Sequence, residues 1–116
     1  MSDSVLRTKS KEFAKEIVFL CRKLKQNGVE SALINQLIRC GTSVGANIHE
    51  AQYAQGAKDF ISKFEIALKE CNESEYWLEL LFETNSLTEA DFKVFYSKCI
   101  ELRRMLVSSV TTLKSK

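Results

Sequence analysis

This sequence has very few residues that break regular structure. It contains no proline and only four glycines, Gly28, Gly41, Gly45 and Gly56. Strand-rich folds turn often, and tight turns draw on Gly and Pro. A chain of 116 residues with so few breakers predicts a handful of long helices. That length suits one domain, taken as residues 1–116, with a single modest core. Apolar residues make up 45% and charged residues 28%, the balance of a globular rather than a disordered chain.

Apolar residues recur with the 3.6-residue helical period in four segments. The first runs from about Ser4 to Gln26 and carries Phe13, Ile17, Leu20, Cys21 and Leu24 on one stripe. Gly28 follows, where a left-handed C-terminal cap is usual. The second runs from about Glu30 to Tyr53, with Leu33, Ile34, Leu37, Ile38, Val44 and Ile48 on its apolar face and Gly56 closing it. The third, from about Ala57 to Thr84, is apolar on two sides. Phe60, Phe64, Ala67, Leu68, Cys71, Leu78 and Phe82 form one side; Ile66, Trp77 and Leu80 lie roughly opposite. A helix apolar on two faces must bury both, so the second face suggests a subunit interface. The fourth opens at SLTEADF, with Thr88 as N-cap or Ser86 and Glu89 as a capping box, and ends near Leu113. Short links between long helices imply antiparallel neighbours. The expected fold is therefore all-α, an up-down-up-down four-helix bundle.

Two glycines interrupt the second helix in RCGTSVGANIHEA, residues 39–51. Glycine costs about 1 kcal/mol relative to alanine in a helix interior. On a helical wheel Gly41 and Gly45 fall on the apolar side, so they serve close approach of a neighbouring helix or ring. Arg39, Ser43, Asn47 and Glu50 fall on another side, within about 80° of one another. That polar ladder can meet a neighbouring helix, another subunit or a ligand. In KECNESEYWLELL, Lys69 and Glu73 stand at pairing distance along the helix, with Glu70 one turn from Glu73. Glu75 projects toward the apolar stripe and needs a donor, for which Arg103 is the candidate.

Net charge is only +2, but it is unevenly spread. Residues 1–26 hold seven Lys/Arg and three acids; residues 98–116 hold five and one; residues 57–92 hold three and nine. Basic and acidic helices can attract one another within a bundle or between subunits. Alternatively, Arg7, Lys11, Lys15, Arg22, Lys25, Arg103 and Arg104 form a basic surface for RNA or DNA.

Other classes find no support in the sequence. No apolar run is long enough for a membrane span, and the N-terminus lacks a signal-peptide core, so a cytoplasmic setting is expected. Cys21, Cys40, Cys71 and Cys99 make no C-x-x-C pair and read as core residues. His49 is the sole histidine, and no E-x-x-H motif accompanies it. No P-loop, G-x-S-x-G or H-E-x-x-H motif occurs. Neither metal nor cofactor is expected, and a metal- or thiol-dependent enzyme is the least supported class.

LIRCGTSVGANIHEA, residues 37–51, resembles the motif helix of a bacterial four-helix bundle family. That family includes proteins encoded in 23S rRNA intervening sequences, sometimes labelled S23 ribosomal proteins. FISKFEIALKECNESEYWLELL, residues 60–81, is similar to a second motif helix of one branch. Ser43, Asn47 and Glu50 match the first motif; Lys69, Glu70, Glu73 and Trp77 match the second. The resemblance implies an antiparallel bundle, typically a homopentamer, with no catalytic role for these residues. The accessory protein of diversity-generating retroelements shares the architecture and binds a reverse transcriptase and nucleic acid. The expected function is therefore a non-enzymatic homo-oligomeric scaffold. The alternative is a nucleic-acid-binding accessory protein acting through the first and fourth helices.

Overall fold

A computed structural model describes residues 2–116, with side chains from residue 4 onward. It contains four helices: α1 (Ser2–Gln26), α2 (Ser31–Ala51), α3 (Ala57–Glu83) and α4 (Glu89–Lys114). They pack side by side into a rod with principal extents of 47 × 21 × 19 Å. Each helix touches the next in the chain, and α4 returns to touch α1. Among the described residues no diagonal pair meets, so the cross-section is a square. The α1–α4 edge is the most sparsely packed of the four.

Local chemistry explains each boundary. α1 ends in a Schellman motif. Gly28 adopts a left-handed φ of 80°, its N–H reaches the Lys25 carbonyl, and the Val29 N–H reaches the Leu24 carbonyl. α3 ends the same way with Asn85 in the left-handed position, φ 61°, and the Ser86 N–H on the Leu81 carbonyl. Asparagine tolerates this conformation better than most residues with a side chain. Thr88 caps α4 by accepting from the Asp91 N–H at 3.1 Å. Ser86 makes no capping box; its hydroxyl lies 3.0 Å from that of Thr84. Gly56 does not close α2. That helix stops at Ala51, and Gly56 stands at the N-cap of α3 in extended backbone.

The core runs the length of the rod. Phe13, Ile17 and Leu24 of α1 meet Leu37, Val44 and Ile48 of α2, Phe64 and Leu78 of α3, and Leu102 and Leu106 of α4. Two serines are buried with them, and each turns its hydroxyl back on its own helix. Ser10 donates to the Arg7 carbonyl at 3.2 Å and Ser74 to that of Glu70 at 2.9 Å. Among the described residues no buried side-chain polar atom lacks a partner.

Candidate interaction surfaces

The two sides of α2 do different work. Gly41 and Gly45 face α1. A Cβ on Gly45 would lie 3.1 Å from the Ser10 carbonyl oxygen, and one on Gly41 would lie 3.0 Å from Ile17 Cγ2. α1 and α2 are therefore in contact where any side chain would separate them. The polar ladder turns the other way, toward α3. Arg39 reaches Glu70 at 3.3 Å and also pairs with Glu73. Trp77 Nε1 donates to the same Glu73 carboxylate at 3.1 Å. The Arg39 and Trp77 hydrogen bonds hold the Glu73 carboxyl below the usual glutamate range. Glu50 sits 3.7 Å from Lys63 of α3. Ser43 and Asn47 bond back along their own helix, Ser43 Oγ to the Arg39 carbonyl at 2.6 Å and Asn47 Nδ2 to the Ser43 carbonyl at 2.8 Å.

Lys69 makes no ion pair with Glu73, because Arg39 and Trp77 already occupy that carboxylate. Lys69 stays exposed on the outer side of α3. On the next edge Arg103 Nε donates to Glu75 Oε2 at 2.6 Å, with the Glu75 side chain only 17% exposed. Tyr96 donates its hydroxyl to Glu79 at 2.7 Å. The acids of α3 are thus shared between α2 and α4.

The outer side of α3 carries apolar groups in water. Ile66 is 38% exposed and Tyr76 57% exposed. Trp77 and Leu80 are half-buried, and Trp77 also packs on the core. The Tyr76 and Trp77 rings meet edge to face, centroids 5.0 Å apart. Tyr76 lies outside the set Ile66, Trp77 and Leu80 that the sequence places on this face. Trp77 leans inward because Glu73 holds its indole N–H.

The cations sort by helix. Three pairs tie α1 to α4: Lys9–Glu101 at 3.1 Å, Lys98–Glu16 at 2.7 Å and Lys23–Asp91 at 2.7 Å. Lys15 pairs with Glu12 on its own helix. Among the described residues Arg7, Lys11, Arg22 and Lys25 make no ion pair. They lie along the outward side of α1, with Arg22 5.8 Å from the Phe19 ring centroid. Arg7, Lys11 and Lys15 border a shallow groove against Gly45, Ala46 and His49 of α2. Arg103 does not join this stripe, because Glu75 holds it at the α3–α4 edge. Arg104 opens onto a separate surface beside Met105 and Ser108. The seven cations grouped by composition therefore do not form one patch.

Each helix contributes one cysteine, and all four are buried free thiols. Cys71 and Cys99 face each other with sulfurs 3.7 Å apart, each directed at the other's carbonyl at 3.3 Å. Burial pushes the Cys21 thiol up to about 11 and raises Cys40 as well. Such thiols stay protonated and unreactive near neutral pH. Among the described residues no group of three or more His, Cys, Asp or Glu is arranged to hold a metal ion. Nor, among them, is any helix long and apolar enough to cross a membrane.

The 23S rRNA-intervening sequence protein family matches residues 2–108, nearly the whole chain. The chain belongs to that family. A crystal structure at 1.70 Å agrees with the assignment; it is of a protein with unknown function from the S23 ribosomal protein family of Bacteroides thetaiotaomicron VPI-5482. It superposes with a TM-score of 0.93 at 44% identity, covering 96% of this chain and 99% of that one. No curated protein matches the chain. The bundle that the helical period predicts is thus shared with this S23-family structure over nearly its whole length.

Proposed function

We propose that this protein is a non-enzymatic scaffold that acts as a homo-oligomer. The carrying observation is the apolar ridge on the outer side of α3, where Ile66 and Tyr76 stand in solvent beside half-buried Trp77 and Leu80. Aromatic residues of this kind dominate binding energy when a partner covers them. Repeated copies present the same face several times and multiply weak contacts. Five copies is the number that the family resemblance implies. The cytoplasm is the expected compartment, since it keeps the four cysteines as thiols. Light scattering at micromolar concentration should return a multiple of the 13.2 kDa chain mass. A stable monomer would reject the scaffold.

A second reading is binding of RNA or DNA. It is favoured by the outward cations of α1: Arg7, Lys11, Arg22 and Lys25, with Lys15 beside them. Phosphate neutralisation by these residues would make affinity fall steeply with salt. A gel-shift series with single- and double-stranded RNA at low salt tests it, and an unshifted probe there counts against it.

A further inference from the structure

The α3–α4 edge holds a buried dithiol. Cys71 of α3 and Cys99 of α4 are fully buried, with their sulfurs 3.7 Å apart. Each sulfur also lies 3.3 Å from the other residue's carbonyl oxygen. So short a side chain reaches the opposite backbone only where two helices run close together. The other two thiols are placed differently. Cys40 is directed at the Leu37 carbonyl of its own helix and Cys21 at the Ile34 carbonyl of α2. Among the described residues neither has a sulfur partner. An ion pair covers the dithiol from outside. Arg103 stands one turn beyond Cys99, and Glu75 one turn beyond Cys71. Because α3 and α4 are antiparallel, these two residues start from opposite sides of the sulfur level. The 2.6 Å bond from Arg103 Nε to Glu75 Oε2 therefore spans it. Both residues are half-buried and the cysteines wholly so, which puts the ion pair between the thiols and solvent.

We infer that Cys71 and Cys99 are an oxidation site: a hydroperoxide converts them to a disulfide, and the Arg103–Glu75 pair gates its access. The closed site resists. The bond from Cys71 and burial hold the Cys99 thiol far above the ordinary range, so it stays protonated. When the edge opens, water reaches the sulfurs and one thiol gives its proton to solvent. The thiolate attacks a peroxide oxygen and the O–O bond breaks. The departing hydroxide takes a proton and leaves as water. That sulfur, oxidised by two electrons, is now a sulfenic acid. The second thiolate attacks it, the S–S bond forms, the S–O bond breaks, and a second hydroxide leaves as water. Two thiols and one hydrogen peroxide thus give one disulfide and two waters. The sulfurs close from 3.7 Å to about 2.05 Å, a movement shared by two side chains. The bond ties α3 to α4 and closes a loop over residues 71–99, which restricts the unfolded chain and stabilises the bundle.

The dithiol lies within one chain, so its test is independent of the oligomer reading. The reduced, folded parent protein is treated with hydrogen peroxide, quenched, and mapped by peptide mass spectrometry without reduction. The expected product is one intramolecular disulfide joining Cys71 to Cys99, with Cys21 and Cys40 still free to alkylate after unfolding. The oxidised form should have a higher urea midpoint than the reduced form, and dithiothreitol should bring it back down. Arg103→Met, which removes the cover, should form the bond several-fold faster than the parent. Gly45→Val weakens the fold elsewhere and leaves the ion pair intact, so it should accelerate the reaction less. Cys99→Ser should leave the midpoint unmoved by peroxide, and Cys99→Ala repeats that control if a buried serine disturbs folding. Failure of the folded parent to form the bond, while peroxide oxidises the urea-unfolded chain, would overturn the inference. So would a disulfide through Cys21 or Cys40, or one between chains. Equal acceleration by Gly45→Val and Arg103→Met would show that oxidation needs global unfolding, and would overturn the gate.

Discussion

α1 has two neighbours, and it meets them by different means. Against α2 the contact is steric: Gly45 leaves room for the Ser10 backbone and Gly41 for Ile17. Against α4 it is electrostatic: three lysine–acid pairs span a sparsely packed edge. Close packing is unforgiving, because a backbone carbonyl cannot move out of the way of a new methyl group. Exposed pairs are forgiving, because each contributes only about 0–1 kcal/mol and salt screens it. One helix is thus held tightly on one side and loosely on the other. The α1–α4 edge is where this bundle should breathe first.

Gly45→Val tests the steric side most severely. The added bulk points at the Ser10 carbonyl, and overpacking of this kind costs roughly 3 kcal/mol. Chemical denaturation should show that loss, and an unchanged midpoint would mean that α1 shifts freely. Gly41→Ala is a gentler probe. The new Cβ meets a side chain rather than backbone, and better helix propensity offsets about 1 kcal/mol of the strain. Its midpoint should fall less than that of Gly45→Ala.

Between the two extremes lie the charged edges of α3. Arg103→Met leaves the Glu75 carboxylate without its partner beside the core, at about 1.5–3 kcal/mol. Urea denaturation at pH 7 should show it, with Glu75→Gln in the same chain restoring part of the loss. Arg39→Met should cost less, since Arg39 is about half exposed, but it should change the pH profile. In the folded protein Arg39 holds Glu73 below its ordinary value of 4.5. The stability this supplies is complete above pH 4.5 and is lost as pH falls through the lowered folded value. The urea midpoint of the Met variant should therefore fall less steeply in acid than that of the parent.

Lys98→Met should have the smallest effect, roughly 0.5 kcal/mol at low salt and less in 0.5 M salt. A loss as large as that of Gly45→Val would collapse the contrast between the two edges. Hydrogen exchange offers the complementary view. Amides near Lys98 and Glu101 should exchange ahead of those near Gly45.

Helix existence and order were legible in the sequence because they depend on local chemistry. The 3.6-residue apolar period, Gly28 at a left-handed cap and Thr88 at an N-cap act within a few residues of themselves. Boundaries were harder. Gly56 read as the end of α2, yet Tyr53 and its neighbours lie in a turn, and Gly56 opens α3 instead. A glycine in a short link can serve either flank, and one sequence does not say which. Partner choice was harder still. Lys69 and Glu73 have good spacing for a pair, but spacing along one helix says nothing about Arg39 arriving from another. The seven cations grouped by composition separate for the same reason. Charge totals ignore direction, and Arg103 turns inward to Glu75 while Arg7 and Lys11 turn out.

The sequence by itself determined four helices, their order, the two-sided character of α2 and family membership. Periodicity, capping and motif spacing are properties of the chain read along its length. Only the tertiary structure decided that the glycines of α2 meet α1 and that its Arg39 ladder meets α3. It also decided that Arg7, Lys11, Arg22 and Lys25 of α1 point outward without an ion pair among the described residues, while Arg103 turns in to Glu75. Those outcomes depend on which helix stands at each corner of the square, and distance through space is not written in distance along the chain.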